Sequence, residues 1–275
     1  MQNIATGLFR NTIDKFYTHP LVVKNCMQLV KKHINISKAD LCIEPSAGDG
    51  KFIEPIKKIF KNHLFYDIKP EHKDIIKANY LAIDTNNFLS KYNKIHVIGN
   101  PPFGKKSSLA IQFIKKSCSF ADSVSFILPK SFKKKSMQRS FPPNFHLVKE
   151  YTLPPNSFIV NNEPYNVPAI FQIWVNKGYK RVIPPKLFPI GYSFIKYNEN
   201  PDISVRRVGY NAGYVDTDIN KSPASHYFIK LNKNEKELID KLNKVKFTYV
   251  NDTVGPKSIS LQEITKAYNK ILMVY

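Results

Sequence analysis

From about residue 39 to residue 175, short apolar runs alternate with helix-like stretches. No other feature constrains the fold as much, because this rhythm builds an open, mostly parallel sheet covered by helices on both faces. The runs cover residues 41–43, 63–66, 80–83, 95–98, 124–128 and 169–175, and most are brief enough to be buried strands. Between the fourth and fifth runs, Leu109, Ile111, Phe113, Ile114 and Cys118 recur at roughly helical spacing, so residues 108–120 are expected to cross over the sheet as a helix. The pairs Pro142-Pro143, Pro154-Pro155 and Pro184-Pro185 act as breaks, since proline fixes its own φ and pushes the preceding residue into extended conformations. The last pair is taken as the boundary between a domain over residues 1–183 and a smaller α+β region over residues 184–275. In that region Asn232 with Glu235, and Ser260 with Glu263, are helix start signals. Leu261, Ile264, Tyr268 and Ile271 predict one apolar face on the final helix.

With 43% hydrophobic and 13% aromatic residues in 275, the chain has enough apolar mass for a core, which excludes disorder for most of it. Its 42 Lys and Arg against 21 Asp and Glu give a formal charge of +21, which favours a polyanionic partner, nucleic acid ahead of an anionic membrane. Cys26, Cys42 and Cys118 are odd in number and widely spaced, with no Cys-x-x-Cys pair, which fits a reducing compartment. No metal is expected, since no histidine spacing suggests ligands. The opening ten residues lack an apolar stretch of signal-peptide length, and later apolar runs are too short to span a bilayer. The expectation is an intracellular protein, of cytoplasm or nucleus, without a membrane anchor.

The first chemically informative segment is Leu41-Cys42-Ile43-Glu44-Pro45-Ser46-Ala47-Gly48-Asp49-Gly50, a strand ending in an acid and then a small-residue turn. Gly48 and Gly50 allow a tight turn and close approach of a nucleotide-like ligand. The turn lacks the third glycine of the dinucleotide fingerprint and the Gly-Lys-Ser/Thr of a phosphate loop, so NAD and ATP are weakly supported. Asp67 closes the second apolar run, placed to accept from ribose hydroxyls, and Asp84 closes the third, where a carboxylate could accept from an adenine amine. Either acid alone reads better as a helix cap or solvated turn. In series at strand carboxyl ends they read as ligand contacts, because open α/β sheets bind ligands there.

The decisive segment is Ile98-Gly99-Asn100-Pro101-Pro102-Phe103-Gly104 after the fourth run. Two prolines stiffen the loop and remove competing amide donors, so Asn100 and Pro101 can aim acceptor oxygens at an amine with two N–H groups. Phe103 offers a flat face to a planar base, a contact worth about 1–3 kcal/mol in nucleic-acid sites.

On these residues the chain resembles the class I S-adenosylmethionine-dependent methyltransferases, and within them the amino-methyltransferases acting on adenine N6. Glu44-Pro45-Ser46-Ala47-Gly48-Asp49-Gly50 is similar to their cofactor loop and Asn100-Pro101-Pro102-Phe103 to their catalytic tetrapeptide. The likeness covers residues 14–175, about 60% of the chain, and includes Lys15-Phe16-Tyr17-Thr18-His19-Pro20 and the run from Phe126 to Phe132. The motif order, cofactor segment then catalytic loop then a carboxyl-terminal region, is that of the gamma group of adenine methyltransferases. The resemblance implies a Rossmann-like, seven-stranded, mostly parallel sheet with S-adenosylmethionine as cofactor. Glu44, Ser46, Ala47, Gly48 and Gly50 would line the cofactor, Asp67 its ribose, Ile68 and Asp84 its adenine, and Phe16, Tyr17 and Thr18 its methionine end. The stretch Thr85-Asn86-Asn87 departs from the pattern that usually follows the third acid, which makes Asp84 the softest assignment.

The expected activity is methyl transfer to adenine N6 in nucleic acid, DNA ahead of RNA, with an RNA N6-methyltransferase as the nearest alternative. A protein-glutamine methyltransferase uses a related loop but fits +21 poorly. A fold-retaining nucleic-acid-binding module without catalysis is a reading of another class, opposed by the intact tetrapeptide. Lys105, Lys106, Arg206 and Arg207 are candidate backbone contacts, Tyr165 a second stacking face, and Val205 to Gly213 a target-recognition element. A recognition region this short is expected to read little sequence or to need a second subunit, another copy or a different chain.

Overall fold

The computed structural model describes residues 16–233, 236–248 and 250–273. The opening residues, Lys15 and Glu235, on which parts of the sequence reading rest, lie outside them. The chain divides into two compact units that part between Ile183 and Pro184.

In the first unit the strands are β1 (Tyr17–Thr18), β2 (Leu41–Glu44), β3 (Asn62–Asp67), β4 (Ile76–Lys77), β5 (Ile95–Gly99), β6 (Ser123–Pro129), β7 (Phe145–Thr152), β8 (Phe158–Val160), β9 (Glu163–Tyr165) and β10 (Ala169–Asn176). Its helices are α1 (Pro20–His33), α2 (Ile53–Lys57), α3 (Asn86–Leu89), α4 (Ser108–Cys118) and α5 (Lys135–Gln138). Seven strands form one sheet in the order β4-β3-β2-β5-β6-β10-β7. The pairs from β4 through β6 are parallel, and β10 runs antiparallel to both neighbours, so one strand of seven is reversed. This is the Rossmann-like α/β architecture that the alternating runs predict.

The central strands are legible because every residue of β2, β5 and β6 is buried, as covering both faces with helices requires. Helix α1 begins with Pro20 at its first position, where a missing amide costs nothing, and the His19 ring accepts the Leu21 amide at 3.3 Å. It buries Val22, Val23, Cys26, Met27 and Val30 and ends on Lys31, Lys32 and His33, cations that suit a helix carboxyl end. Helix α4 buries Phe113, Ile114 and Cys118 of the face read from its spacing, together with Ala110 and Ser117, while Leu109 and Ile111 are half-buried. The three cysteines are free and buried.

The third apolar run is a correction. Residues 80–82 form a 3₁₀ turn and the edge strand lies earlier, at β4, because Tyr80 is drawn into the core, where its hydroxyl shares a hydrogen bond with Ser117 at 2.8 Å. Strand β7, half-buried and rich in polar residues, has no apolar run to announce it. Arg181 braces the segment before β7: its guanidinium donates to the carbonyls of Gln138, Phe141, Pro142 and Phe145 and lies 5.1 Å over the Trp174 ring. A separate three-stranded sheet, β1-β8-β9, closes with a turn at Asn161 and Asn162, both left-handed at φ 51° and 64°, the geometry that asparagine tolerates in two-residue hairpins.

The second unit has β11 (Tyr192–Ile195), β12 (Ile203–Arg206), β13 (Val215–Asp216) and β14 (His226–Leu231) in an antiparallel sheet of order β11-β14-β12-β13, with α6 (Lys236–Asn243) and α7 (Leu261–Leu272). Ile203, Val205, Ile229, Leu242, Ile264 and Tyr268 form its core. Helix α7 starts with the expected capping box, Ser260 and Glu263 each satisfying the other's amide. Its apolar face is displaced from the expected one. Ile264 and Tyr268 are buried, but Leu261 is exposed and Thr265 and Asn269 are buried in its stead, because Thr265 bonds the Leu261 carbonyl and Asn269 bonds the loop at Phe188 and Ile190. Among the described residues no helix is long and apolar enough to cross a membrane.

Candidate functional site

The carboxyl ends of β2, β3 and β5 open onto one cavity of 480 Å³, a volume suited to a nucleoside with a short tail. From the β2 turn come Glu44, Ser46, Ala47 and Gly48; from β3, Asp67 and Ile68; from the β5 loop, Asn100, Pro101, Pro102 and Phe103; and from β1 and its flank, Phe16, Tyr17 and Thr18.

The β2 turn is fixed by the strands beside it. The Ala47 amide donates to the Tyr66 carbonyl at 2.9 Å and the Gly48 amide to Asp67 Oδ2 at 2.8 Å. Gly48 is left-handed at φ 52°, a conformation that side chains rarely adopt, so glycine is needed for the turn. Asp67 Oδ1 accepts the Lys69 amide at 2.7 Å, which holds the carboxylate at the rim. Ile68 is 67% exposed, a bare apolar face at the cavity mouth.

Glu44 is buried, with Oε2 lacking any hydrogen-bond partner. Burial first, then the charges of Asp49 and Asp67, hold its carboxyl well above the ordinary range. Glycine at 99 lets the side chain lie against β5, since a Cβ there would come to 3.2 Å from Glu44 Cγ.

Asn100 is oriented from two sides. Its Nδ2 donates to the Phe16 carbonyl at 2.9 Å, and its own carbonyl accepts from Ser46 Oγ at 3.0 Å. The second bond holds the main chain and the first turns the side-chain amide, so that Oδ1 is buried without a partner among the described residues. An unpaired buried acceptor costs about 1–3 kcal/mol, so the site as built calls for a donor from a ligand. Phe103 is nearly buried; its ring lies 6.4 Å from Phe16 and 6.4 Å, edge-on, from Phe158. Tyr165 does not line the cavity but stacks on Phe16 at 5.5 Å and 14°.

Two expected cofactor contacts are displaced. Asp84 lies outside the cavity lining, since the strand expected before it does not form, and its Oδ1 accepts the Asn86 amide at 3.0 Å in a turn just ahead of α3. Gly50 is also outside the lining: its amide donates to the Ala47 carbonyl at 2.7 Å and it packs against Ile53 and His72, so it shapes the turn from behind. Asn79, just after β4, lines the cavity with Ala78 and Leu81, and its Oδ1 accepts the Leu81 amide at 3.1 Å. Its signal is the apolar pair Ile75-Ile76 followed by an amide side chain. Lys105 and Lys106 are exposed just beyond the tetrapeptide, and Lys106 and Ser107 both take left-handed conformations, φ 53° and 63°. Arg206 and Arg207 belong to the second unit, at the end of β12. Among the described residues no group of three or more His, Cys, Asp or Glu is arranged to hold a metal ion.

The cavity's two unsatisfied polar atoms among the described residues, Glu44 Oε2 and Asn100 Oδ1, are both oxygens that call for a donor. A buried carboxyl suits a cation or a hydrogen-bond donor, and a buried amide oxygen suits an N–H. Residues of this kind, beside a rim carboxylate and an apolar shelf, fit an adenosine carrying a charged amino-acid tail.

No protein-family model matches the chain, and no curated protein matches it. Solved structures do. A modification subunit assigned to a type I restriction enzyme of Vibrio vulnificus YJ016 is 14% identical over 61% of this chain, with a TM-score of 0.47. That match spans 46% of the Vibrio chain, less than half of its length. A protein assigned as an RNA methyltransferase of Pyrococcus horikoshii is 15% identical over 62% of this chain and 93% of its own, TM-score 0.44. A protein of Listeria monocytogenes, assigned as a class I S-adenosylmethionine-dependent methyltransferase, is 14% identical over 62% of this chain and 63% of its own, TM-score 0.45.

Proposed function

We propose that the chain binds S-adenosylmethionine and transfers its methyl group to the N6 amine of adenine in nucleic acid, DNA ahead of RNA. The observation that carries this reading is that two residues lining one cavity, Asn100 and Glu44, each bury an oxygen, Oδ1 and Oε2, without a partner among the described residues. Bound in that cavity, S-adenosylmethionine supplies a methyl group activated by its sulfonium centre. Asp67 would accept from the ribose, Ile68 and Asn79 would meet the adenine ring, and Glu44, with Tyr17 and Thr18, would border the methionine end.

Asn100 Oδ1 and the Pro101 carbonyl would accept the two hydrogens of the target amine. An aromatic amine has its lone pair spread into the ring, and two acceptors favour the tetrahedral nitrogen that can react. No ionising base is required for that step. The Phe16 carbonyl and Ser46 hydroxyl keep the asparagine from turning, so the acceptor is aimed before substrate arrives. A base inside a duplex cannot reach such a cavity, and flipping it out costs a few kcal/mol that stacking on Phe103 partly returns.

The test is incubation with labelled S-adenosylmethionine and matched DNA and RNA pools, then nucleoside analysis of which base and which sugar carry the label. N6-methyldeoxyadenosine is the expected product; label on ribonucleosides would move the assignment to RNA, and label on neither would end it. Asn100→Ala should lower turnover by about 100-fold or more, the scale of losing one pre-aimed polar group at a reacting centre, with cofactor affinity nearly kept. Unchanged turnover would remove Asn100 from the mechanism.

A further inference from the structure

The second unit carries a group of side chains that the proposed chemistry leaves unused. The turn from Arg206 to Tyr214, joining β12 to β13, is pinned by main-chain bonds on every side. The Gly213 amide donates to the Arg206 carbonyl at 2.7 Å, the Arg206 amide to the Tyr214 carbonyl at 2.9 Å, the Arg207 amide to the Ser225 carbonyl at 2.9 Å and the Gly209 amide to the Lys257 carbonyl at 2.9 Å. At the tip stands Tyr210, 88% exposed. A stiff turn thus holds most of a large ring in water.

Cations crowd around it. Lys257 Nζ lies 4.9 Å from the centre of the Tyr210 ring, and the Arg207 guanidinium lies 5.2 Å over the ring of Tyr227. Arg206 Nε donates to the Val208 carbonyl at 3.1 Å, which folds its guanidinium against Gly209. Among the described residues none of these three cations forms an ion pair with a carboxylate, whereas Lys221 and Lys230 of the same unit do. Beside the tip an open groove of 410 Å³ is lined by Asn211, Tyr214, Lys246 and Phe247 among others, adding a fourth cation and two more rings.

Unpaired cations beside exposed aromatic faces match one chemistry: phosphates at one spacing and flat bases at the next. Base faces are covered inside a duplex and open in a single strand, so the stacking half of this surface has a partner only where bases are unpaired. We propose that the Arg206–Tyr214 turn is a stacking site for an unpaired DNA strand, with a base on Tyr210 and phosphates against Arg206, Arg207 and Lys257. It deepens, and rests on, the reading of the chain as a DNA-modifying enzyme, and adds that substrate is gripped as single strand at a surface other than the cavity.

The experiment measures binding of the full chain to fluorescent oligothymidylate, to a duplex of equal length and to oligouridylate across a salt series. Oligothymidylate should bind more tightly than the duplex. Tyr210→Ala should weaken that binding about fivefold or more, while Tyr210→Phe keeps it, since the ring and not the hydroxyl does the stacking. Replacing Arg207 and Lys257 by Ala should flatten the salt dependence by about one logarithmic unit for each phosphate left without its cation. Because Tyr210 is solvent-exposed, its substitution leaves the fold intact, which circular dichroism verifies. Binding by Tyr210→Ala within twofold of the unaltered chain, equal loss in Tyr210→Phe, or capture of oligouridylate alone would each overturn the proposal. The probe has no adenine, so the two readings fail separately: absent methyl transfer sinks the proposed function, and an unaffected Tyr210→Ala variant sinks this one.

Discussion

Glu44 is the residue whose chemistry is most out of balance with its surroundings. A carboxyl enclosed by protein, partnerless at Oε2 and facing Asp49 and Asp67, keeps its proton to a higher pH in the folded chain than in the unfolded one. The folded state therefore binds more protons above the ordinary carboxyl value, so this residue's contribution is present at low pH and is lost as pH rises from about 4.5 toward the raised folded value. Glu44→Gln keeps the shape and removes the titration. We expect its ligand-free thermal midpoint at pH 7 to rise by about 2–4 °C, the shift that about 1 kcal/mol gives a domain of this size. A fall in midpoint would mean that the carboxylate is stabilised by contacts other than those described. The same imbalance favours a cationic ligand, whose arrival would let Glu44 ionise.

At the scale of elements, the two ends of the parallel strands are put to opposite uses. Their carboxyl ends carry the cavity, and their amino ends are tied together by a buried network. His96 on β5 shares a hydrogen bond with Ser123 at the start of β6, 2.8 Å through Nδ1, and reaches Asp40 just before β2 at 3.3 Å through Nε2. Asp40 also accepts from Ser37 and Asn93. The trio has the composition of a hydrolytic triad, but all three residues are at most 2% exposed, so no substrate can reach it. Burial, outweighing the pull of Asp40, lowers the His96 pKa. Its stabilising contribution is thus complete above the ordinary histidine value of about 6.5 and is lost as pH falls below it. Thermal unfolding of His96→Gln should depend less on pH between 7 and 5 than that of the unaltered chain, while Glu44→Gln, whose titration pulls the other way, should steepen the acid loss. Equal pH profiles for His96→Gln and the unaltered chain would remove the network from the account.

This scale also explains what the sequence could tell. Runs that became β2, β5 and β6 were legible because strands buried on both faces have no polar positions to interrupt them. Strand β7 is interrupted by His146 and by the adjacent Lys149 and Glu150, and β4 is two residues long, so neither left a run to read. The tetrapeptide was readable as an acceptor-rich loop, but the bonds that aim Asn100 span 84 and 54 residues to Phe16 and Ser46, a pairing that only the closed sheet creates. Asp84 lies outside the cavity lining because the apolar run before it folds as a 3₁₀ turn and not as the strand that would carry it to the sheet's carboxyl edge.

Across the whole molecule, charge is uneven. Up to Ile183 the chain has 28 Lys and Arg against 12 Asp and Glu, and after it 14 against 9, so the excess expected of a basic recognition region sits mostly in the cavity-bearing unit. Attraction for a polyanion should accordingly follow residues near the tetrapeptide. Reversing Lys105 and Lys106 to Glu should weaken DNA binding at low salt and reduce the slope of log affinity against log salt by about 0.9 for each phosphate no longer neutralised. A slope equal to that of the unaltered chain would place those lysines away from the bound backbone.

The reversed strand β10 carries a consequence for how the chain comes into being. Among the described residues it is the one sheet neighbour of β7, yet it is made after β7, so during synthesis an eight-residue strand waits without that mate until Asn176 has left the ribosome. A nascent chain halted before Ala169 would display two naked borders, β6 and β7, each open to annealing with a neighbour's strand. The last piece of the sheet to emerge covers the facing borders of both strands and leaves β7 with only its outer border open.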